Sequence, residues 1–403
     1  MTRLPDAVWR DRRGLPELLA ALGSEDDMVR LVGGVVRDTL LGHEVEDIDC
    51  GTRFEPQESS RRIKAAGYKV IPTGIAHGTV TAILPSGPIE VTTLRHDIAT
   101  NGRHAVVAFT DDWQADAARR DFTINALSAE PRNGTIHDYF GGLEDLANGI
   151  VRFIGTPIER IAEDHLRILR FFRFHARFGK GAPDSAALAA CTARANDLMA
   201  LSRERIADEL LKLLRVVDPA PTVALMLESG IFTPILPEIA RDGVERLARL
   251  VDREQAADAA ADPLRRFGAL LPQHPAIAAG IAQRLKLSRA ATRRLEQGAA
   301  GGHDAPRAIA YRFGTDIATD IILRGDMPDD QLAAALTSLD GWERPRMPIG
   351  GGDLIARGLK PGPIVAATLQ AIERRWIAEG FPGGDRLDAI VDQELALALR
   401  EII

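Results

Sequence analysis

Short apolar runs broken by glycine and proline fill the first third of the chain, a pattern typical of strands joined by tight turns. Five of these runs predict β-strands: MVRLVGG, DIDCG, YKVIP, GTVTAIL and PIEVTTL. Two stretches between them, VVRDTLLG and PQESSRRIKAAG, have helical spacing. The pattern therefore predicts an α+β unit from about Met28 to Val151.

After Gly155 the pattern changes to long segments rich in Ala, Leu and Arg with helical spacing. They are interrupted at Asp218-Pro219-Ala220-Pro221 and by glycine or proline clusters near Gly301 and Gly350. We therefore expect the remainder to be all-helical, in successive packets. No stretch approaches the roughly 18 apolar residues of a membrane span. The start, MTRLPDAVWRDRR, lacks the apolar core of a signal peptide, so we expect a cytoplasmic protein with no membrane partner.

Composition narrows the class of protein. With 403 residues, 45% of them hydrophobic, the chain can form more than one core. Only two cysteines occur, Cys50 and Cys191, which excludes a disulfide framework and a thiolate zinc site. Aromatic residues make up 5%, which argues against a sheet that stacks nucleic-acid bases.

Charge is unevenly distributed along the chain. The net charge of -7 argues against general coating by nucleic acid. Residues 152–215 nevertheless hold twelve Lys or Arg against eight Asp or Glu, and residues 284–312 hold seven against two. Such runs are usually solvated helix faces, and for the second run both this interpretation and an RNA-binding surface stay open.

A glycine pair and two aspartates suggest phosphate and metal chemistry. Gly33-Gly34 lie between a strand and an apparent helix, where backbone N–H groups can meet phosphate oxygens, although such a pair is more often a plain tight turn. Alternation places the carboxylates of Asp47 and Asp49 on one strand face, about 7 Å apart, where they could hold a divalent cation. A lone DxD is more often a polar strand end. Gly-Gly followed by DxD at this spacing is much less likely to occur by chance than either motif alone.

Glu90 is a third acid, placed between Ile89 and Val91 in an apolar strand. A carboxylate in this setting either faces solvent on an edge or joins the other two acids. The residues alone do not decide between these alternatives, and we include Glu90 among the candidate catalytic residues.

The segment RRDFTINAL places two guanidinium groups directly before Asp121, a plausible helix N-cap. Arg119 and Arg120 could reach triphosphate oxygens or be ordinary surface charges. Asn125 would lie one turn further along the same helix face. The preceding stretch, Asp97 to Asp116, has little periodicity, and we expect a mobile loop over the site.

The segment from Glu163 to Arg177 predicts one helix with a charged face. At about 100° per residue, its arginines 167, 170, 173 and 177 fall within about 120°, and Asp164 lies about 60° beyond Arg167. An amphipathic helix with ordinary Asp–Arg pairs is the simpler alternative. Because Asp accepts from an exocyclic amine and Arg donates to ring acceptors, the pair could instead read a nucleobase edge.

These blocks, in this order, resemble the class II tRNA nucleotidyltransferase and bacterial poly(A) polymerase family of the DNA polymerase beta superfamily. The resemblance covers the first 215 residues through GGVVRDTLLG with DID, HGTVTA, RRDFTINAL, EDHLRILRFFRF and SRERI. It implies a nucleotidyltransferase head with a small mixed sheet of five strands, followed by an all-α neck, body and tail. We expect the head at 1–150, the neck at 151–217, the body at 218–300 and the tail at 301–403.

The resemblance also implies roles for single residues. Gly34 and Arg37 would hold the nucleotide phosphates, Asp47 and Asp49 the magnesium, Arg120 the triphosphate, and Asp164 with Arg167 the incoming base. With Glu90, included because of its own sequence setting, the two aspartates are our predicted catalytic residues. The full set of predicted nucleotide-binding residues is Gly33, Gly34, Arg37, Asp38, Arg120, Asp121, Asn125, Asp164, Arg167, Arg170 and Arg173.

Members of this family make different products, and the C-terminal sequence bears on which product this chain would make. The C-terminal stretches Gly351–Leu354 and Gly358–Pro363, with Trp376, resemble the tail of CCA-adding enzymes, and the strongly basic extension usual in bacterial poly(A) polymerases is absent. We therefore expect template-independent addition of C, C and A to the tRNA 3′ end from CTP and ATP, with release of pyrophosphate by a two-metal mechanism. The basic runs would contact the tRNA acceptor arm. The rivals are a poly(A) polymerase, an A-only or CC-only enzyme, and an inactive RNA-binding relative; the oligomeric state stays open.

Overall fold

In the computed structural model, which describes residues 2–101, 104–302 and 304–400, strands form at all five predicted runs. Four further strands are present in this part of the chain. The strands are β1 (Val29–Val32), β2 (Asp49–Thr52), β3 (Lys69–Gly74), β4 (Thr79–Leu84), β5 (Gly87–Thr93), β6 (Arg95–Asn101), β7 (His104–Phe109), β8 (Ser128–Ala129) and β9 (Ile136–His137).

Seven of the strands form one mixed sheet in the order β3-β4-β5-β2-β1-β8-β9. The β2 and β5 strands run parallel, and the other neighbours are antiparallel. The predicted mixed sheet is confirmed, but its five-strand count is wrong, because β8 and β9 have two residues each and are too short to show alternation. The parallel register sets Asp49 opposite Glu90.

The expected mobile loop from Asp97 to Asp116 is wrong. Its described residues form the antiparallel pair β6-β7 and the start of a helix at Trp113. The run from His104 to Phe109 contains Val106-Val107, a β-branched pair that favours a strand. Gly102 and Arg103 lie outside the described residues.

The described part of the chain after Gly155 is helical, as the change of pattern there predicts, and five further α-helices lie before Gly155. The helices are α1 (Leu15–Ala21), α2 (Gly34–Leu40), α3 (Pro56–Ala65), α4 (Trp113–Ala118), α5 (Gly142–Asn148), α6 (Pro157–Glu163), α7 (Arg167–Phe178), α8 (Ser185–Ala193), α9 (Arg203–Leu213), α10 (Ala220–Glu228), α11 (Arg241–Ala256), α12 (Pro263–Leu270), α13 (Pro275–Arg284), α14 (Arg289–Ala300), α15 (Pro306–Phe313), α16 (Thr315–Arg324), α17 (Asp329–Thr337), α18 (Gly351–Ala356), α19 (Pro363–Ala378) and α20 (Gly384–Arg400). No helix among the described residues is long and apolar enough to cross a membrane.

The chain divides into two compact units. The N-terminal unit comprises Met1–Val216 and Pro221–Pro237, and the C-terminal unit comprises Val217–Ala220 and Glu238–Ile403. In the C-terminal unit, one apolar cluster surrounds Leu323 and another surrounds Trp376. The finer division into head, neck, body and tail stays a prediction.

An aromatic cluster in the N-terminal unit holds the segment after Arg120 against α7. Phe122 is fully buried, and its ring centroid lies 4.8 Å from that of Phe153 and 5.2 Å from that of Phe174. Burial of aromatic rings this large contributes strongly to the stability of the core. The packing places the carboxylate of Asp121, directly before Phe122, next to Arg170 of α7.

Candidate active site

A cavity of about 460 Å³ in the N-terminal unit brings together ten of the fourteen predicted site residues. It is lined by Gly33, Gly34, Arg37, Asp49, Arg120, Asp121, Asn125, Asp164, Leu166, Arg167, Arg170, Phe174 and Arg205. Its volume falls in the range of small-molecule sites, and its five arginines exceed its three aspartates, which favours an anionic ligand.

The glycine turn between β1 and α2 allows an arginine to approach the backbone. Gly33 has φ of 70°, in the left-handed region, and a Cβ there would lie 2.9 Å from Nη1 of Arg120. Its N–H donates to the carbonyl of Leu127 at 2.9 Å. A side chain at residue 33 would therefore strain the turn and displace the guanidinium group from the cavity wall.

Three carboxylates belong to the paired strands β2 and β5 or directly precede β2: those of Asp47, Asp49 and Glu90. Asp47 and Asp49 are exposed on either side of the buried Ile48, so the predicted alternation is present although Asp47 precedes the strand. Loss of hydration and the charge of Glu90 raise the pKa of Asp49 to about 6; Asp47 adds to this rise, and Arg120 opposes it. The negative charges of Glu90 and Asp47 therefore disfavour ionisation of Asp49.

Arg120 is held by an acid below the cavity. Its Nη2 lies 3.2 Å from the buried carboxylate of Asp116, which also accepts hydrogen bonds from Arg119 at 2.7 and 3.0 Å. The Arg120 side chain remains 21% exposed. One of the two predicted guanidinium groups thus lines the cavity, whereas Arg119 serves to fix the same carboxylate.

The predicted helix start at Asp121 is wrong. The segment forms a single 3₁₀ turn, Thr123–Asn125, and the buried Asp121 carboxylate accepts from the Phe122 amide and from Asn125 Nδ2, each at 2.9 Å. Arg170 donates from Nε at 2.7 Å. Burial pushes the pKa of Asp121 upward, but Arg170 and Asn125 outweigh it and lower the pKa. The carboxylate therefore orients Arg170 toward the cavity.

Arg37, Asp38 and Arg173 are engaged in ion pairs within the protein, and of these three predicted residues Arg37 lines the cavity. Arg37 is buried, bonds Asp38 at 2.8 and 2.9 Å and Asn125 through Nη1, and lies 4.3 Å above the Phe178 ring. Asp38 is not a lining residue, and neither is Arg173, which donates to Glu209 at 2.6 Å. Their predicted nucleotide contacts stay predictions.

The continuous helix predicted from Glu163 to Arg177 is wrong. Helix α6 ends at Glu163, Asp164 is extended with φ of -149°, and α7 begins at Arg167. The Asp164 carboxylate accepts from the amide of Leu166 at 3.1 Å, a local bond that competes with helix formation. Asp164 and Arg167 still line the same cavity.

Arg205 on α9 is a cavity residue to which the motif analysis assigned no role. Its Nη2 lies 3.2 Å from Oδ1 and 2.9 Å from Oδ2 of Asp164. The SRERI segment was part of the resemblance, but its helical pattern held no sign of contact with a residue 41 positions earlier. The tertiary fold alone brings this pair together.

Comparison with known proteins decides the family. Residues 29–152 match the model described as "Poly A polymerase head domain", and residues 182–242 match "Probable RNA and SrmB- binding site of polymerase A". The CCA tRNA nucleotidyltransferase 1, mitochondrial, of Danio rerio is 36% identical over 369 residues, which is 86% of this chain and 83% of the relative. The chain belongs to the CCA tRNA nucleotidyltransferase family.

Other members of the CCA tRNA nucleotidyltransferase family are similar over most of their length. A CCA-adding enzyme of Lacticaseibacillus paracasei is 32% identical over 363 residues, 87% of this chain and 88% of the relative. The crystal structure of the Bacillus stearothermophilus CCA-adding enzyme in complex with CTP has a TM-score of 0.75 at 25% identity and covers 95% of this chain and 97% of that chain. The predicted family and fold class are confirmed.

Divalent metals are generally used by nucleotidyltransferases of this family. In the part of the chain that the structure describes, no group of three or more Asp, Glu, His or Cys side chains could hold a metal by itself. Magnesium usually takes one or two carboxylates and completes its shell with water and substrate phosphates. The exposed Asp47 and Asp49 fit that mode of binding, and Asp49 lines the cavity together with the arginines.

The second basic run is largely engaged within the protein. Arg284 pairs with Glu238 at 2.7 Å, and Arg294, 18% exposed, pairs with the buried Asp320 at 2.6 Å. Asp262 pairs with Arg294 as well, at 2.9 Å. Arg294 therefore stabilises the C-terminal unit, and tRNA contact through this run is left to its more exposed members.

Proposed function

We propose that this enzyme adds C, C and A to the 3′ end of tRNA, using CTP and ATP without a nucleic-acid template. The observation that carries the proposal is one cavity lined by the exposed carboxylate of Asp49, by five arginines and by Asp164 together with Arg167. Membership of the CCA tRNA nucleotidyltransferase family supports the same reaction.

In this reaction the oxygen of the RNA 3′-hydroxyl attacks the α-phosphorus, and the bond to pyrophosphate breaks. Asp47 and Asp49 would hold magnesium, which supplies electrostatic stabilisation of the charge that passes to pyrophosphate. Arg120, fixed by Asp116, would donate hydrogen bonds to the triphosphate oxygens. Because Arg120 is already oriented, little side-chain entropy is lost when the nucleotide binds.

Base choice is assigned to Asp164 and Arg167. Cytosine and adenine both present an exocyclic amine beside a ring nitrogen acceptor, whereas uracil and guanine place a carbonyl and an N–H there. Among the residues that the structure describes, Oδ1 of Asp164 accepts from Leu166 and Arg205, but Oδ2 accepts from Arg205 alone, so Oδ2 can also accept from the amine.

Three hydrogen-bond acceptors of the protein hold the Arg167 guanidinium group in place. Nη1 donates to Glu163 at 2.5 Å and to the carbonyl of Arg160 at 2.8 Å, and Nη2 donates to the carbonyl of Arg119 at 3.3 Å. Of the five N–H donors of a guanidinium group, two thus remain for the ring nitrogen of a base. Arg205 acts as a positioning residue, because it holds the Asp164 carboxylate without using its full acceptor capacity.

The relatives' names include mitochondrial enzymes, so the cytoplasmic location remains our expectation. Magnesium as the metal and the acceptor arm of tRNA as the contacted region are likewise parts of the proposal.

The test is incorporation of each labelled nucleotide into a tRNA that ends before CCA. We expect CTP alone to add two residues, ATP alone to add none, and both together to add CCA and stop. Addition that stops after CC would indicate a CC-only enzyme, and A added only to a tRNA ending in CC would indicate an A-only enzyme. A long A tract would indicate a poly(A) polymerase. Binding without incorporation of any nucleotide would refute the enzymatic proposal.

A further inference from the structure

A second cavity, of about 230 Å³, lies within the C-terminal unit and is lined largely by arginine. Its lining residues are Arg246, Arg249, Leu250, Arg253, Ala269, Leu323, Arg324, Gly325 and Asp326. Four are cationic and one is acidic, so the wall carries an excess of positive charge.

Two of these arginines are anchored by main-chain groups. Arg246 and Arg253 each donate to two carbonyl oxygens at 2.8–3.1 Å, which fixes the guanidinium groups but does not neutralise them. Their carboxylate partners, Asp242 and Asp329, are 68% and 70% exposed. Such exposed pairs are well screened by water and salt, so the positive potential at the cavity persists.

Arg324 is half-buried, with its Nε enclosed, and no carboxylate of the described residues is hydrogen-bonded to it. Its Nη2 donates to Oε1 of Gln273, and its Nε has no hydrogen-bond partner there. The neighbouring helices make room for it with glycine, because a Cβ at Gly268 or Gly298 would lie 2.7 or 3.1 Å from Nη1. The packing thus accommodates a guanidinium group at a position where a buried cation is costly.

The surrounding charges leave this cation poorly compensated. Burial lowers the pKa of Arg324 to about 10, Asp320 opposes the fall, and Arg246 adds to it. Asp320 is itself bonded to Arg265 at 3.0 Å and to Arg294 at 2.6 Å. An anion bound in the cavity would offset the cost of burying Arg324.

We propose that this arginine-lined cavity binds a phosphate group. Guanidinium groups match phosphate oxygens in charge and in hydrogen-bond geometry. Arg249 is exposed, and no described residue forms an ion pair with it, so it is free to meet the anion at the cavity mouth. The group is either free phosphate or pyrophosphate, or a backbone phosphate of RNA; the RNA source rests on the proposed function, and the free anion does not.

The test is hydrogen exchange of the full-length protein in inorganic phosphate, in pyrophosphate and in chloride of equal ionic strength. We expect phosphate or pyrophosphate to slow exchange of amides in 246–253 and 322–326 at least threefold. Because the readout is local to the C-terminal unit, anion binding at the nucleotide cavity cannot produce it. Arg249→Gln should abolish the protection. Arg241→Gln is the matched control, because it removes the same charge from the same helix, α11, at a residue that does not line the cavity.

A parallel arm measures tRNA affinity against salt for the same two variants. If RNA supplies the phosphate, Arg249→Gln should shallow the log–log slope by about 0.7–0.9, and Arg241→Gln should not. Local protection by the free anions with an unchanged tRNA slope would assign the site to phosphate or pyrophosphate. No protection by either anion together with an unchanged slope, or equal effects of the two variants, would overturn the proposal. If the wild-type protein does not add CCA to tRNA, the proposed function is refuted, but the result for the free anions still stands.

Discussion

Removing Arg205 should weaken base discrimination more than it weakens triphosphate binding. Its guanidinium group lies 2.9 and 3.2 Å from the two oxygens of Asp164, and the side chains are 25% and 27% exposed. A charge-assisted hydrogen bond in such a setting is worth about 1.5–3 kcal/mol. In Arg205→Ala the Asp164 carboxylate keeps only the Leu166 amide as a donor and can rotate away from the base. The preference for CTP over UTP should therefore fall roughly 10- to 100-fold, since 1.4 kcal/mol corresponds to a factor of ten.

The assay is kcat/KM for all four triphosphates on tRNAs that end before CCA and after CC. Arg205→Lys should recover part of the discrimination, because an ammonium group can still donate to Asp164. Arg203→Ala, on the same helix but away from the cavity, is the control and should match the wild type. This role of Arg205 is refuted if Arg205→Ala keeps the wild-type ratios of kcat/KM between nucleotides, or if kcat/KM falls equally for all four.

Four further substitutions test the site and its supports. Asp47→Asn or Asp49→Asn should lower kcat by several orders of magnitude with little change in tRNA affinity, and turnover near wild type at saturating magnesium would contradict the metal assignment. Gly33→Ala should destabilise the protein by about 1–2 kcal/mol, from the left-handed backbone, and raise KM for the triphosphate by displacing Arg120; an unchanged thermal midpoint and KM would contradict this. Asp121→Asn should cost about 1.5–3 kcal/mol of unfolding free energy at pH 7, because the buried carboxylate loses its charge-assisted hydrogen bond from the half-buried Arg170. Since the folded-state pKa of Asp121 is lowered, this stability is present above its ordinary value of 3.8 and is lost as pH falls through the folded pKa, so denaturant titrations should show the mutant and the wild type converging in acid.

The strands and the acidic edge were predictable because they depend on local patterns. The alternating buried residues Ile89, Val91 and Thr93 mark β5, and alternation around the buried Ile48 exposes Asp47 and Asp49 before and at the start of β2. The pairing of Asp49 with Glu90 was not predictable, since strand order is a property of the whole sheet. Short or irregular elements, such as β8 and β9, carry too few residues for a periodic signal.

The predicted base-contact residues, Asp164 and Arg167, show a different limit of prediction from sequence. The predicted placement of Asp164 and Arg167 on one helix face assumes an unbroken helix. In the structure the Asp164 side chain accepts a hydrogen bond from the Leu166 amide, and the helix ends at Glu163. Asp164 and Arg167 nevertheless meet at one cavity, because the fold rather than helix periodicity sets their placement. Arg205 could be found only by tertiary contact, 41 residues from its partner.

The most direct measurement is the intact mass of a tRNA that ends before CCA, after incubation with the enzyme, CTP, ATP and magnesium. The wild type should shift the mass by two cytidylates and one adenylate and no further, whereas Asp49→Asn should bind the tRNA and leave its mass unchanged. A different increment, or full extension by Asp49→Asn, would contradict the assignment of CCA addition to this cavity.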